Sequence, residues 1–301
     1  MGKQFLRKYR LEIDDTDGDR HTISELRIAF LIQQDLMGFP ALGKITVYNM
    51  NADNVKRLRN AYSKIKLSVG YGDDKLQVLH QGTINNVMSL RENETGVTEF
   101  YSKDCPVDYL NGTFSGSYAK GSLLSSIFSD IAKASGLTVA KSTGDERLKA
   151  DVTFNSGCAA VLRSITQEYE KWFVISEGEL SIFPRSGAAM SYTSDEIHVI
   201  SKDTGMIGYP TVTEIGADVN MLLNPSVKPM SLYRIESVAP RTNIGDFYYR
   251  PSNTIRTLGI GLYRAQRVEH TGDTWGDDWQ TSVVGRDFTQ GKIEDTERGV
   301  S

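Results

Sequence analysis

YRAQRVEHTGDTWGDDWQTSVVGR, residues 263–286, carries the strongest local fold signal in this chain. Its central ten residues, 270–279, hold one of the four histidines, three aspartates and two of the three tryptophans. Such a cluster suits a metal site, an acid–base site or a turn between two strands. The flanks have the pattern of strands, and glycine and aspartate between them favour a chain reversal. The stretch therefore predicts a β-hairpin, and a metal site is the lesser alternative.

Single residues of this hairpin have predicted roles in the turn. Gly272 and Gly276 supply positions that tolerate unusual backbone angles. Asp273, Asp277 and Asp278 favour turns because their carboxylates hydrogen-bond to nearby backbone N–H groups. We therefore expect all five residues to shape the turn.

The tryptophans of the hairpin suggest a contact surface, because tryptophan is enriched among the residues that dominate binding energy at interfaces. The candidate interface residues are Trp275, Trp279, Asp277 and Asp278. Trp279 has an alternative, since it begins the returning strand and can instead lie in the core.

Strands joined by tight turns are predicted for the first hundred residues. Alternating apolar residues and Gly, Asp and Asn punctuation indicate a barrel or sandwich. The predicted strands are KYRLEI (8–13), HTISELRIAFLIQQ (21–34), GKITVYNM (43–50), KIKLSVGYG (64–72), LQVLHQGTINNVMSL (76–90) and GVTEFYSKD (96–104). One helix is predicted over 50–64, with Asn51 or Asp53 as its cap.

The hydrophobic period changes in the middle of the chain. Residues 121–139 and 156–172 have helical spacing, and Gly136 is a good stop for the first helix. A hairpin with Glu177-Gly178 at its turn follows over 172–184. After this, strand patterns return to about residue 288.

This outline predicts a mainly β chain with a small α+β unit. The predicted regions are 1–105 (β), 106–185 (helix–helix–hairpin) and 186–301 (β, with a polar tail over 289–301). No internal repeat with a fixed period is visible in the sequence.

Composition limits the class of protein. The 301 residues are 39% hydrophobic and 24% charged, as in globular chains. A net charge of -4 offers no overall basic field for nucleic acid. We expect no secretory leader and no membrane span, because no run approaches about 20 apolar residues. Cys105 and Cys158 form no metal or redox motif, so two reduced thiols are expected.

The remaining polar motifs favour structure over chemistry. DDTDGD (14–19) resembles a calcium loop, but positions six and twelve counted from Asp15 are Arg20 and Leu26, so a hairpin turn is predicted. The basic run KRLRNAYSKIK (56–66) is predicted to be a solvated face rather than a phosphate site. The four histidines are not spaced as metal ligands and lie in no HExxH pattern. They are His21, His80, His198 and His270.

Several segments, in order, resemble one family. TGMIGYPTVTEIGADVNMLLNPSVKPMSLYRIES (204–237) and the hairpin at 263–286 are similar to the C-terminal part of tail hub proteins of contractile-tailed bacteriophages. FPALGKITVYNMNADNVKRL and the strands after it resemble the opening domain of that family. SLLSSIFSDIAKASGL and the helix–hairpin at 157–184 resemble its small inserted domain. The chain is thus similar over nearly its whole length to baseplate hubs of the late control protein D type.

The resemblance implies two tube-like β-barrel domains, over 1–105 and 186–301, with the small α+β domain between them. It implies a homotrimer whose six similar barrels form a pseudo-sixfold ring. Such a ring joins the tail tube and other baseplate proteins to the central spike, and DNA meets it only in transit through its channel during genome ejection.

The family contributes no catalytic, cofactor-binding or metal-binding residues, so no enzymatic activity and no cofactor are expected. The expected location is the tail baseplate of a virion, assembled in the host cytoplasm. Two alternatives remain open at this point. One is a tail-associated cell-wall hydrolase that uses Asp or Glu, and the other is a carbohydrate-binding or other soluble binding module.

Overall fold

The computed structural model shows a mainly β chain with a smaller α+β part. It describes residues 6–15, 17–36, 39–58, 63–72, 75–92, 94–142, 146–185, 191–193, 197–213, 216–237, 241–242, 260–288 and 292–294.

The first part of the chain is an antiparallel sheet that buries one face. Its strands are β1 (Arg7–Asp14), β2 (Arg20–Ile23), β3 (Ile28–Asp35), β4 (Leu42–Tyr48), β5 (Lys64–Tyr71), β6 (Gln77–Glu92) and β7 (Thr95–Lys103). They pair in the order β3-β4-β7-β6-β5-β1-β2. Apolar residues alternate along the strands, so Ile28, Phe30 and Ile32 of β3 are buried. The strand predictions for this part are confirmed, except that the run predicted over 21–34 is divided between β2 and β3.

The helix predicted over 50–64 is shorter than expected. Helix α1 spans Ala52–Arg57, and the side chain of Asn51 accepts a hydrogen bond from the backbone N–H of Asp53, which makes Asn51 the cap. β5 already begins at Lys64, and residues 59–62 of the predicted helix lie outside the described residues. The basic run is therefore divided between a short helix and a strand.

The middle of the chain contains both predicted helices and the predicted hairpin. Its elements are α2 (Val107–Asn111), β8 (Thr113–Tyr118), α3 (Leu124–Ala134), β9 (Thr138–Lys141), β10 (Val152–Gly157), α4 (Cys158–Glu168), β11 (Lys171–Ser176) and β12 (Glu179–Pro184). β11 and β12 turn at Glu177 and Gly178, whose φ angles are 56° and 80°, as a tight hairpin turn requires. α2 and the pair β8–β10 were not predicted.

α3 and α4 bury their apolar faces in one core with the hairpin. The stripe predicted for this helix comprises Leu123, Leu124, Ile127, Phe128 and Ile131. The last four lie on α3 and are buried, whereas Leu123 is the N-cap and is only half-buried. Both cysteines are free and buried in this core, in line with the two reduced thiols expected.

The last part of the chain returns to strands. They are β13 (Ser191–Thr193), β14 (Ile197–Ser201), β15 (Met206–Val212), β16 (Gly216–Leu222), β17 (Leu232–Glu236), β18 (Arg241–Thr242), β19 (Ile260–Asp273), β20 (Trp279–Asp287) and β21 (Lys292–Glu294). The hairpin predicted at 263–286 is β19–β20. Apart from β21, the predicted polar tail lies outside the described residues.

The first and last parts of the chain share one 14-stranded sheet. β19 causes this, because it pairs with β20 along one edge and, along its other edge, first with β17 and then with β3. The strand order runs β15-β16-β20-β19-β3-β4-β7-β6-β5-β1-β2 through both parts. Each half nevertheless surrounds its own buried apolar cluster.

The two halves repeat one strand order, although the sequence shows no repeat. β3-β4-β7-β6 in the first half corresponds to β15-β16-β20-β19 in the second, and β5 pairs with β6 as β17 pairs with β19. The long strands even share an irregularity. β6 shifts register between Ile84 and Asn86, and β19 shifts between Ala265 and Arg267.

Candidate interface at the joint between the halves

The joint between the halves is an antiparallel strand pair. β19 and β3 pair from Arg267 opposite Asp35 to Asp273 opposite Ala29. Backbone ladders of this kind hold two units in a defined register. On the outer face, Nε2 of Gln33 donates to Oε2 of Glu269 at 2.8 Å and adds a side-chain contact across the joint.

An ion pair holds the tip of the β19–β20 hairpin to the first half. The Arg27 guanidinium donates to the two carboxylate oxygens of Asp273 at 3.1 and 2.6 Å. The bidentate geometry fits a planar fork to a carboxylate, and it lowers the pKa of Asp273 below its ordinary value. Thr274 adds a second tie, because its N–H donates to the carbonyl of Ile28 at 3.0 Å and its Oγ1 accepts from the Ile28 N–H at 3.0 Å.

Arg7 satisfies the backbone of the hairpin turn. Its guanidinium donates to the carbonyl oxygens of Asp273, Gly276 and Asp277 at 3.1, 2.5 and 2.9 Å. The same group lies over the Trp279 ring, 5.6 Å from its centroid. Arg7 of β1 thus holds the β19–β20 turn in place by hydrogen bonds, although the turn lies some 270 residues further along the chain.

The two tryptophans of the hairpin have opposite environments. Trp279 is 2% exposed, packs edge-on against Phe30 with ring centroids 5.4 Å apart, and belongs to the core of the first half. Trp275 is 76% exposed. Of the two predictions for Trp279, an interface contact or a core position, the structure shows the core position. Its contact with Phe30 joins the two halves of the same chain.

The other candidate interface residues, Trp275, Asp277 and Asp278, are exposed at the tip. Their contact with another chain stays a prediction. Asp273 acts as a turn former, since its Oδ1 accepts the Trp275 N–H at 2.9 Å. Asp278 contributes through its backbone carbonyl, which accepts the Asp273 N–H at 2.8 Å.

The prediction that Gly272 is a turn residue is wrong. Gly272 lies within β19, opposite Phe30, and a Cβ at this position would approach Cζ of Phe30 to 2.2 Å. The glycine is needed because an aromatic ring crosses the backbone there. Gly276 lies in the turn as predicted.

Replacing Gly272 with alanine is expected to destabilise the chain by about 1–3 kcal/mol, the usual range for overpacking a filled site. Urea unfolding followed by circular dichroism measures the effect. Gly96→Ala is the matched control, because Gly96 is also a strand glycine and a Cβ there would meet nothing within 4 Å. Equal losses in both variants would show that the Phe30 contact is not the cause.

The two motifs that carry the family resemblance meet in space. The LLNP segment, 222–225, lies beside the start of β20, where the Leu223 N–H donates to the Trp279 carbonyl at 3.1 Å. The Asn224 N–H donates to Oγ1 of Thr281 at 2.9 Å. In addition, the Tyr71 hydroxyl of the first half donates to the Leu223 carbonyl at 3.0 Å. LLNP and the hairpin are therefore parts of one contact.

Two histidines are buried in the core. Nδ1 of His270 lies 2.9 Å from Oγ1 of Thr281, and Nε2 of His80 lies 2.7 Å from Oγ of Ser102. Burial lowers the pKa of His270 to about 3 and that of His80 to about 4. Both imidazoles are therefore neutral at pH 7 and act as hydrogen-bonding core residues.

The other two histidines lie elsewhere. His21 lies beside Asp15, with Nε2 and Oδ2 3.4 Å apart, and burial lowers the pKa of His198 in β14. Asp15 also accepts the N–H groups of Asp17 and Asp19 at 3.0 and 2.9 Å. This is the turn predicted for DDTDGD. Among the described residues, no group of three or more His, Cys, Asp or Glu side chains is placed to hold a metal ion.

A second joint, which the sequence did not predict, connects all three parts of the chain. Asp104, just after β7, accepts the Glu177 N–H with both carboxylate oxygens, at 3.0 and 3.1 Å. The Glu177 side chain pairs with Lys228 at 2.6 Å, before β17. Asp104 is 3% exposed, and burial raises its pKa to about 7. No local pattern marks this aspartate, because its partner is a turn 73 residues away.

The arrangement defines a class of protein. The chain has one shared sheet, two halves with the same strand order and an inserted α+β unit, and solved phage tail proteins share this fold. The 43 kDa tail protein of prophage MuSo2 from Shewanella oneidensis matches with a TM-score of 0.61 and 9% identity, covering 92% of this chain and 96% of that one. The tail protein from Neisseria meningitidis MC58 matches with a TM-score of 0.60 and 7% identity, covering 95% and 99%.

The E. coli c3393 protein, a component of the type VI secretion system, shares the fold with a TM-score of 0.54 and 9% identity, covering 88% of this chain and 74% of its own. A profile of the baseplate hub gp41 family matches residues 40–248, which is more than half of the chain. The chain belongs to the baseplate hub gp41 family. A comparison with curated protein sequences finds no match.

Family membership confirms the predicted resemblance to tail hubs. The structure and its likeness to solved tail proteins confirm the mainly β fold class. Family membership also places the chain among structural proteins of the phage tail. No helix among the described residues is long and apolar enough to cross a membrane.

Proposed function

We propose that three copies of this chain form a pseudo-sixfold ring that joins the tail tube to the central spike and leaves a channel for DNA. The observation that carries this proposal is the repeat within the chain. Each copy contributes two halves with one strand order, held together by the β19·β3 joint. Three copies then supply six similar units.

The physics of the joint supports a ring. β19·β3 is a contact between two different strands of two equivalent units, so it is heterologous. A heterologous contact that recurs between units generates either a closed ring or an open filament. Closure also pairs strand edges that would otherwise be open to aggregation.

The ring acts as a structural adaptor, without enzymatic activity. The aspartate-rich hairpin, which is the most enzyme-like stretch of the sequence, ties the two halves together through Asp273. The buried histidines bond to the hydroxyls of Ser102 and Thr281. These residues have structural tasks. We expect purified protein to leave peptidoglycan intact, and cleavage that is lost on Asp277→Asn would favour the hydrolase instead.

Mass measurement tests the assembly. Sedimentation velocity of the purified chain, alone and with its spike protein, is expected to show a species of about 100 kDa per ring, three times the 33.5 kDa of one chain. Electron microscopy of tails with a labelled copy should place the label where tube and spike meet. A strict monomer that never assembles with tube or spike proteins would contradict the proposal.

A further inference from the structure

The second half of β6 presents an open edge with apolar side chains. From Asn86 to Glu92 this strand pairs with β7, and the described residues place no strand on its other edge. Met88 and Leu90 on this segment are 42% and 46% exposed. A long exposed apolar edge is a template for adding a further strand.

β19, the equivalent strand in the other half, indicates which strand the open edge of β6 pairs with. β19 corresponds to β6, and the shared register shift aligns Asn86 with Arg267. β19 pairs with β3 from Arg267 onward. By this equivalence, the segment of β6 from Asn86 onward is the part that should pair with a strand equivalent to β3.

The strand equivalent to β3 is β15, at the other end of the shared sheet. β15 pairs with β16 on one side, and on the other the described residues contribute only the two-residue strand β18, opposite Thr211 and Val212. Ile207, before these pairs, is 38% exposed. β15 and β6 thus end the repeated part of the sheet, and each carries exposed apolar residues.

We propose that β6 of one copy adds antiparallel to β15 of the next copy, and that this contact repeats the internal β19·β3 joint. The inference rests on the proposed ring and names the surfaces that close it. The partner is therefore a second copy of this chain, seated edge to edge on a heterologous contact.

The internal joint also specifies the register. β4 and β16 align through their pairing with β7 and β20, so Ala29 of β3 corresponds to Ile207, which lies beyond a register shift in β15. Ala29 faces Asp273, the counterpart of Glu92. Ile207 of one copy then lies opposite Glu92 of the next, diagonal to Leu90. Diagonal neighbours are about 7–8 Å apart, close enough for apolar contact. The incoming strand displaces β18, whose two residue pairs offer little resistance.

Crosslinking between separately labelled copies tests this contact. One chain carries Leu90→Cys, another carries Ile207→Cys, and the mixed, reassembled sample is treated with a short bismaleimide. Both native cysteines are buried and do not compete. We expect a covalent dimer in the mixture and in neither single variant alone. When one chain carries both substitutions, we expect crosslinked products of at most three chains, because the ring is closed.

The outcomes separate the inference from the proposed function. A sample with the mass of a trimer but no crosslink would overturn the β6·β15 contact and leave the ring standing. A crosslink with Leu90→Cys alone would show symmetric β6·β6 pairing and also overturn it. A ladder beyond three chains would support the contact and overturn the closed ring. A monomer at every concentration, with or without tube and spike proteins, would overturn both.

A charged substitution gives an independent measure. Met88→Lys is expected to weaken association roughly tenfold or more, because it places an unpaired charge in the contact. Val284→Lys is the matched control, since Val284 is also 42% exposed but lies on β20, between β16 and β19. Circular dichroism checks that both variants fold. Equal weakening in the two variants would count against the β6 edge.

Discussion

Replacing Trp279 with alanine is expected to lower the free energy of unfolding by about 3–5 kcal/mol, the usual range for deleting a large aromatic side chain from a core. The indole is 2% exposed and meets Phe30 edge-on at 5.4 Å. It also lies under the Arg7 guanidinium, so its removal leaves a cavity beneath the clamp on the hairpin. Urea denaturation followed by circular dichroism measures the loss.

Trp275→Ala is the matched control for this change. The same residue type, four positions earlier in the same hairpin, is 76% exposed, so its removal should change stability by no more than about 0.5 kcal/mol. If both variants lost stability equally, the core placement of Trp279 would be wrong. If Trp275→Ala left stability intact but weakened assembly, the predicted interface role of Trp275 would gain support.

Local patterns were sufficient to predict many elements of this fold. The hairpin at 263–286, the turn at Glu177-Gly178 and the stripe of α3 follow from periodicity and turn chemistry that a few neighbouring residues encode. Periodicity determines which face of a strand is buried but does not name the strand that pairs with it. The β19·β3 joint was therefore not predicted, since its strands lie more than 200 residues apart.

Predictions for single residues were wrong where contacts distant in sequence, rather than local turn chemistry, determine the residue type. Glycine at position 272 is typical of a turn, but here a glycine is required because the Phe30 ring lies against the backbone and leaves no room for a Cβ. The repeat was missed for a related reason. Equivalent strands share pairing and a register shift, while their residues differ: Met88 and Leu90 of β6 align with Glu269 and Thr271 of β19.

Asp104 provides the second large expected effect, which depends on pH. The residue is 3% exposed, and burial raises its pKa from 3.8 to about 7. The Glu177 charge acts in the same direction, while the hydrogen bond from the Glu177 N–H and the Lys228 charge act against it. The native state thus holds this proton more tightly than the unfolded chain does. The contribution of Asp104 to stability is fully present below about pH 4 and is lost as pH rises to about 7. At 1.36 kcal/mol per pKa unit, the loss amounts to up to about 4 kcal/mol.

Asp104→Asn isolates this effect. The amide stays neutral at every pH, and its oxygen can still accept the Glu177 N–H. We therefore expect the variant to match the wild type near pH 4 and to exceed its free energy of unfolding by up to about 4 kcal/mol at pH 8. Urea unfolding at a series of pH values measures the difference.

The exposed Asp278 supplies the control, as Asp278→Asn changes a carboxylate that stays in water. A step of the same size in that variant would show that burial of Asp104 is not the cause. A flat difference for Asp104→Asn would mean that the native state holds the charged form at no penalty, with Lys228 compensating for burial. The pH series therefore measures the net effect that burial, Glu177 and its partner Lys228 have on Asp104 at the junction of all three parts of the chain.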